Sequence, residues 1–422
     1  MIPPEVPVIG SEAGPPGRRA TWWTLTKNMY AVVAKWFIVP VISAIIGLTV
    51  VGRLLDQWKG PDYRIYFVGP TGTAATNGLQ DMVDAFDEAR ATVRTLDGVR
   101  VNLYTRDDGG DPAFARSTAT ELANREDVLL VVGHVLSTTT KEALPSYLVA
   151  AKPPIPVLLT TETNPNIFPP RPTLDVEFPV YRLSPTDDEQ AKDAYQFALG
   201  MHAKSFWVVE DTSNAVYASY LADKFIEQAQ KYQTGVLLLS TTLSMPSMQT
   251  VRQLGVDWVF YAGDWRGALI LIHAVKASKL SNIRFILSDS CADEGLLKNG
   301  GNDVKGVYVT HPLTVATYKK AHYGVYSQDA LRIIDQLLDR ANQHFAEYAA
   351  KQGGMGYTIR RLLRVHRISD ARNVLIETMH TGRDLTFRRS TGERIEFDRE
   401  GAPVGAHFHV WRIEGGQFTD VH

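Results

Sequence analysis

The sequence predicts an α/β protein of two doubly wound lobes, preceded by a single membrane-spanning helix. Three features carry that expectation. An uncharged apolar stretch fills residues 36–52; nine short apolar runs follow it along the chain; and amphipathic helical segments separate those runs.

The N-terminal segment comes first. Residues 1–20 are rich in proline and glycine and end in Arg18 and Arg19, so residues 1–29 read as a disordered cytoplasmic tail. From Trp36 to Gly52 the chain carries no charge, and starting at Tyr30 gives residues 30–52, enough to cross a hydrocarbon core of about 30 Å at 1.5 Å per residue. Arg18, Arg19, Lys27 and Lys35 precede the span, whereas Arg53 and Lys59 follow it among Asp56 and Asp62. The positive-inside rule then places the N-terminus in the cytoplasm, as a single-pass anchor in the plasma (inner) membrane. Trp22, Trp23, Trp36 and Trp58 stand near its ends, where amphipathic rings favour the headgroup region. A cleaved secretory signal is the competing reading, but no A-x-A site follows Ile46 and the chain has no lipobox cysteine. Under either reading the chain after about residue 60 lies in the periplasm or outside the cell.

The apolar runs lie at 64–69, 99–104, 128–133, 155–160, 205–210, 235–240, 257–262, 283–287 and 305–310. Each has the length of a buried strand. Between them, Leu79, Met82, Val83, Phe86 and Val93, and later Tyr220, Leu221, Phe225 and Ala229, repeat at helical spacing. Alternating strand and helix calls for parallel sheets covered on both faces, and so many units exceed one compact sheet, which gives two lobes. Past Pro312 the pattern turns helical, from Ser327 to about Lys351 and from Tyr357 to Val365. A β-rich tail closes the chain with TGERIEFDREG and AHFHVWRI, which read as a hairpin-like pair.

Composition narrows the function. The 422 residues carry a net charge of only -2, which argues against nucleic acid as a partner. Cys291 is the lone cysteine, so no internal disulfide forms. The chain contains no G-x-S-x-G, H-E-x-x-H, P-loop or G-x-G-x-x-G, and an enzyme is not expected. The acids of DDGGDP (107–112) lack the remaining ligands of a calcium loop, and His407 and His409 lack a third ligand, so neither metal nor cofactor is expected. His134 reads as a structural histidine.

In open α/β sheets ligands gather beyond the carboxyl ends of the strands. Here those ends carry Thr71 and Gly72, Ser137 to Thr140, and Thr160 to Thr163. These segments, with GPTGTAATNG (69–78), YTRDDGGDP (104–112), VVGHVLSTTT (131–140), VLLTTETNP (157–165), YRLSPTDDEQ (181–190), VVEDTSNAVYASYLAD (208–223), WVFYAG (258–263) and FDREGAPVG, occur in an order that resembles the type I periplasmic binding proteins. The likeness is to their branched-chain amino acid (Leu/Ile/Val-binding) group, the substrate-binding proteins of ABC transporters, and spans about residues 62–420. It implies two lobes joined by a three-strand hinge, lobe 1 from 62–182 plus 314–388 and lobe 2 from 183–313 plus 389–420. It also implies a ligand trapped between them.

Carried over position by position, the resemblance implies that Ser137 holds a ligand carboxylate, that Thr163 contacts both carboxylate and ammonium, and that the Thr161 carbonyl accepts from the ammonium. From the second lobe Tyr217 would contact the ligand and Asp289 would meet the ammonium. Hydroxyls and helix N-termini suit a carboxylate; a carboxylate and a carbonyl suit an ammonium. Two aromatic positions of the family are Asn77 and Asp264 here, with Trp265 beside the latter. They disfavour a leucine-like side chain and favour a polar or cationic one. The expected function is a membrane-tethered solute-binding protein for an amino acid or relative, serving an ABC permease or a membrane signalling partner. A tail of about 30 residues is too short for a signalling domain, so any output passes through another protein. The altered aromatic positions sustain one alternative, a ligand-free protein-interaction module on the same fold; a hydrolytic enzyme is the other.

Overall fold

The computed structural model describes residues 62–71, 77–169, 178–211, 214–232, 237–242, 248–351, 368–381, 386–398 and 401–421. The expected tail and anchor (1–29 and 30–52) and the helical pattern at 357–365 lie outside them. Among the described residues no helix is long and apolar enough to cross a membrane.

The first sheet contains β1 (Tyr63–Gly69), β2 (Arg94–Leu96), β3 (Val99–Asp107), β4 (Val128–Gly133), β5 (Val157–Leu159) and β6 (Val180–Arg182), in the order β2-β3-β1-β4-β5-β6. All neighbours are parallel except β2 and β3. The second contains β7 (Ser205–Glu210), β8 (Leu237–Thr242), β9 (Trp258–Ala262), β10 (Arg284–Leu287) and β11 (Tyr308–His311). A short hairpin, β12 (Phe387–Arg388) with β13 (Arg394–Ile395), stands apart, and β14 (His409–Glu414) and β15 (Gln417–Asp420) complete the second sheet as β15-β14-β11-β10-β9-β7-β8. β14 and β15 run antiparallel at its edge. The closing segment thus forms two hairpins rather than one.

Both sheets wind the same way. The first parallel strand, β1 or β7, lies between the second (β3, β8) and the third (β4, β9), so the strand order reverses beside it. Parallel strands covered on both faces are apolar on both, and β1 shows the alternation: Tyr63, Ile65 and Phe67 enter one core while Tyr66 and Val68 enter the other. In β7, Trp207 and Val209 face one core, and Phe206 and Val208 the opposite one.

The covering helices follow from their apolar stripes. α1 (Asn77–Glu88) supplies Met82, Val83 and Phe86 to one face of the first sheet. Val93 does not join them; the helix gives way to a 3-10 turn at Ala89–Ala91 and Val93 is 72% exposed. α2 (Pro112–Ala123) and α3 (Ser137–Pro145) cover the other face through Ala119, Leu122, Ala143 and Leu144. Asp111 caps α2, accepting from the Phe114 amide at 2.8 Å, with Pro112 at the first helical position. On the second sheet, α4 (Asp187–Gly200) and α5 (Ala215–Tyr232) cover one face. α6 (Met248–Leu254), α7 (Trp265–Ala277), α8 (Glu294–Gly300) and α9 (Val315–Ala321) cover the opposite one. α10 (Gly324–Lys351) and α11 (Ile368–Thr381) return to the first sheet, packing with α1.

Packing divides the chain later than the boundaries expected at 314 and 388. Tyr318 of α9 sits among Trp411, Phe418 and His311, with ring centroids 5.1, 6.3 and 5.0 Å away, which ties α9 to the second sheet. Phe387 of the hairpin meets Tyr181 of β6 edge-on at 5.6 Å and the following Phe397 stacks on it at 4.2 Å, which ties residues 387–397 to the first.

Candidate ligand-binding cleft

Strands β1, β3, β4 and β5 of the first sheet and β7, β9 and β10 of the second all end at one cavity of about 370 Å³. It lies where each strand order reverses, the place where crossing connections part and leave a crevice.

The first-lobe wall is built at the β4–α3 turn. Gly133 adopts φ +107°, and a Cβ there would lie 2.1 Å from the Val68 carbonyl oxygen, so the close approach of β4 to β1 requires glycine. After Val135 and Leu136 the chain enters α3 with no side-chain cap, and its first amides form the positive end of a helix facing the cavity. Ser137, 4% exposed, is the first helical residue. The Thr139 and Thr140 hydroxyls turn back onto the Leu136 carbonyl at 2.9 and 2.8 Å.

Thr161 and Thr163 follow β5 and line the same wall. The Thr161 hydroxyl donates to the Val135 carbonyl at 2.8 Å, fastening this loop to the β4–α3 turn. Arg182, fully buried, donates to the carbonyls of Glu162 and Asn164 at 2.6 and 3.0 Å, and the Asp187 amide donates to the Thr163 carbonyl at 2.9 Å. Burial lowers the Arg182 guanidinium pKa and pushes the Asp187 carboxyl well above the usual carboxylate range.

The second-lobe wall presents side chains. Asp289 accepts hydrogen bonds from the Tyr217 hydroxyl and from Gln190 Nε2, the latter at 3.0 Å. Gln190 also donates to Thr310 at 2.8 Å, and the Tyr323 hydroxyl donates to the Asp289 carbonyl at 3.3 Å. Desolvation raises the Asp289 pKa, opposed by the hydrogen bonds from Tyr217 and Gln190; burial, and then Asp289 itself, push the Tyr217 hydroxyl well above its ordinary value.

Asp264 lines the cavity too, but one of its oxygens caps α7, accepting from the Arg266 and Gly267 amides at 2.8 and 3.1 Å. Arg266 lies over the Trp265 ring at 4.7 Å, and Asp293 accepts from the Gly295 amide at 2.6 Å. The two lobes also touch directly: the Thr138 hydroxyl donates to Asn214, and the Asn164 side-chain Nδ2 donates to the Val216 carbonyl.

Six of the seven residues selected from the sequence, Ser137, Thr161, Thr163, Tyr217, Asp264 and Asp289, therefore stand around one cavity. Asn77 opens α1, but its side chain lies outside the described residues, and Leu79 is the α1 residue at the cavity. Sequence reasoning passed over Gln190, Arg266, Asp293 and Tyr323. For Gln190 a signal existed, since it lies one helical turn beyond Asp187 within YRLSPTDDEQ.

The loop acids of DDGGDP bind backbone. Asp107 accepts from Thr71 and Gly109, and Asp108 from Gly110, each at 2.9 Å. His134 is buried between Asp108 at 2.7 Å and the Tyr147 hydroxyl at 3.1 Å. The His407 and His409 ring centroids are 4.9 Å apart, and no group of three metal-binding side chains occurs among the described residues.

Known structures share this fold. A leucine binding protein from Thermotoga maritima matches with TM-score 0.65 at 18% identity, over 85% of this chain and 98% of that one. A solute binding protein from R. palustris in complex with benzoate matches with TM-score 0.59 at 16% identity, over 86% and 96%. A branched-chain amino acid transporter substrate binding protein from Streptococcus pneumoniae, in complex with isoleucine, matches with TM-score 0.61 at 15% identity, over 86% and 99%. No curated protein sequence matches. The family model for periplasmic binding proteins matches residues 65–352, about two thirds of the sequence. The chain belongs to the periplasmic binding protein family.

Proposed function

We propose that this chain captures a small amino acid, or a close relative, between its two lobes and delivers it to an ABC permease. One observation carries the reading: an uncapped helix N-terminus and the Asp289 carboxylate line opposite walls of the same 370 Å³ cavity. The first suits an α-carboxylate, with Ser137 and Thr163 beside it. The second suits an α-ammonium, with the Thr161 carbonyl as a further acceptor. Leucine, isoleucine and benzoate, named with the similar structures, are all carboxylates, which supports the first half.

The rest of the cavity favours a polar side chain. Asp264, Arg266 and Asp293 gather around Trp265, and a purely aliphatic group there would desolvate them without replacing their hydrogen bonds. Residues 30–52 tether the domain to the membrane, holding it near its permease at a high effective concentration. The lobes close around a hinge formed by the crossing segments.

The test is a thermal-shift screen of the full-length chain against the twenty amino acids, small amides, polyamines and short organic acids. A ligand at about 100 times its Kd adds about 2.7 kcal/mol of stability and raises the melting temperature. A polar amino acid among the hits supports the reading. A blank across the panel overturns it and favours the protein-interaction alternative.

A further inference from the structure

Glu162 stands between two threonines that line the cavity, yet it is itself 0% exposed. One carboxyl oxygen accepts from the Thr140 hydroxyl at 3.1 Å, and the other is buried with no hydrogen-bond partner among the described residues. Arg182 does not answer that charge directly, because its guanidinium is spent on the backbone carbonyls of Glu162 and Asn164. Desolvation outweighs the opposing pull of the backbone amides of Glu162 and Thr160, the Arg182 charge and the Thr140 hydroxyl, and pushes the Glu162 carboxyl up to about 7. The ionisable groups on the neighbouring elements are Arg182 of β6, Asp187 of α4, and the buried pair of His134, just after β4, with Asp108, just after β3.

Thr140 connects this carboxyl to the cleft. It lies in the first turn of α3, the helix whose N-terminus faces the cavity, and its one hydroxyl proton is shared between the Glu162 carboxyl and the carbonyls of His134 and Leu136, each 2.8 Å away. A negative charge on Glu162 and a carboxylate at the end of α3 would draw on the same positive helix end, inside protein where their repulsion is weakly screened.

We propose that Glu162 is a proton-linked positioning residue for the anion site at α3, so that capture of a carboxylate ligand takes up a proton from solvent onto the Glu162 carboxyl. The new O–H donates to the Thr140 oxygen, and the Thr140 proton turns to the carbonyls of His134 and Leu136. The inference rests on the reading of the cleft given above. By linkage, affinity falls as pH rises through neutrality, by at most about tenfold per pH unit for one proton.

Calorimetry of the full-length chain tests it, with each of the twenty amino acids as a single probe at pH 7 in phosphate and in Tris. These buffers differ in ionisation heat, so proton uptake appears as a buffer-dependent binding enthalpy. The proposal expects uptake of a substantial fraction of one proton, and affinity that weakens from pH 6 to pH 8. Glu162→Gln should bind with equal heat in both buffers and a flat pH profile. Thr140→Val, which removes the donor that stabilises the charged form, should lower the uptake at pH 7. Binding with buffer-independent heat in the unmodified chain overturns the proposal alone, as does uptake that persists in Glu162→Gln. Absence of binding by all twenty amino acids overturns the reading of the cleft, and this proposal falls with it.

Discussion

The two walls of the cleft are made of different material. On the first lobe the groups offered to the cavity are amides at the end of α3 and short hydroxyls, of which Thr161 is already fastened to a neighbouring carbonyl. On the second lobe they are long side chains, with Asp289 at the centre and Tyr217 and Gln190 holding it. A wall of backbone depends on where the chain runs, whereas a wall of side chains depends on which residue stands at one position. The first lobe should therefore be vulnerable to changes in backbone geometry and the second to single side-chain replacements.

The sharpest way to break that contrast is Gly133→Ala. A Cβ at φ +107° and 2.1 Å from the Val68 oxygen cannot be accommodated without moving β4 and the α3 turn. The expected cost is more than about 3 kcal/mol, read as a lowered melting temperature. An unchanged melting temperature would mean that the turn is pliant and that the donor wall is not fixed by the backbone.

Next in size is the pH dependence set by Glu162. Its folded-state value of about 7 lies above the ordinary 4.5, so folding retains a proton between those values. Stability then falls as pH rises through that window and levels off above it, at a penalty of roughly 3 kcal/mol. Glu162→Gln should raise the melting temperature at pH 8 and leave it nearly unchanged below pH 4.5. An equal gain at both pH values would show that Glu162 does not titrate in that range.

Asp289→Ala should follow, at about 2 kcal/mol of binding free energy, or roughly thirtyfold in Kd by calorimetry, because a charge-assisted contact is lost and Tyr217 and Gln190 lose their acceptor. No loss would remove Asp289 from the binding wall and leave the second lobe without its principal acceptor.

The doubly wound strands were legible because a parallel strand covered on both faces reads as an unbroken apolar run, as in Val128–Gly133, where every residue is buried. β2 and β6 escape that reading because polar residues break them, Arg94 and Thr95 in the first and Arg182 in the second. α11 was missed although Ala371, Val374, Leu375 and Met379 have helical spacing. Arg372 interrupts that stripe, and it is buried because its guanidinium donates to the carbonyls of Arg125, Val128 and Pro153, contacts that no local pattern reveals. Topology pointed to the strand ends at Ser137 to Thr140 and Thr160 to Thr163, but the choice of single residues there, and of Tyr217, Asp264 and Asp289, came from the resemblance to a known family. Tyr323 reaches the same cavity from the segment before α10, Gln190 stands buried behind Asp289 on α4, and only the folded chain brings the two to Asp289. Nothing in the sequence neighbourhood of Glu162 announces its complete burial.

The smallest expected effect is the one that sharpens the comparison most. Ser137→Ala removes a single hydroxyl from a wall whose principal donors are backbone amides, and those amides survive the substitution. Its cost should be about 1 kcal/mol, near fivefold in Kd, less than that of Asp289→Ala. A loss at Ser137 as large as at Asp289 would place the anion site on the side chain and not on the end of α3, and the two walls would then be alike. If the ligand bridges both walls within one closed cleft, the double substitution should depart from additivity, because either loss also weakens the closure on which the other contact depends.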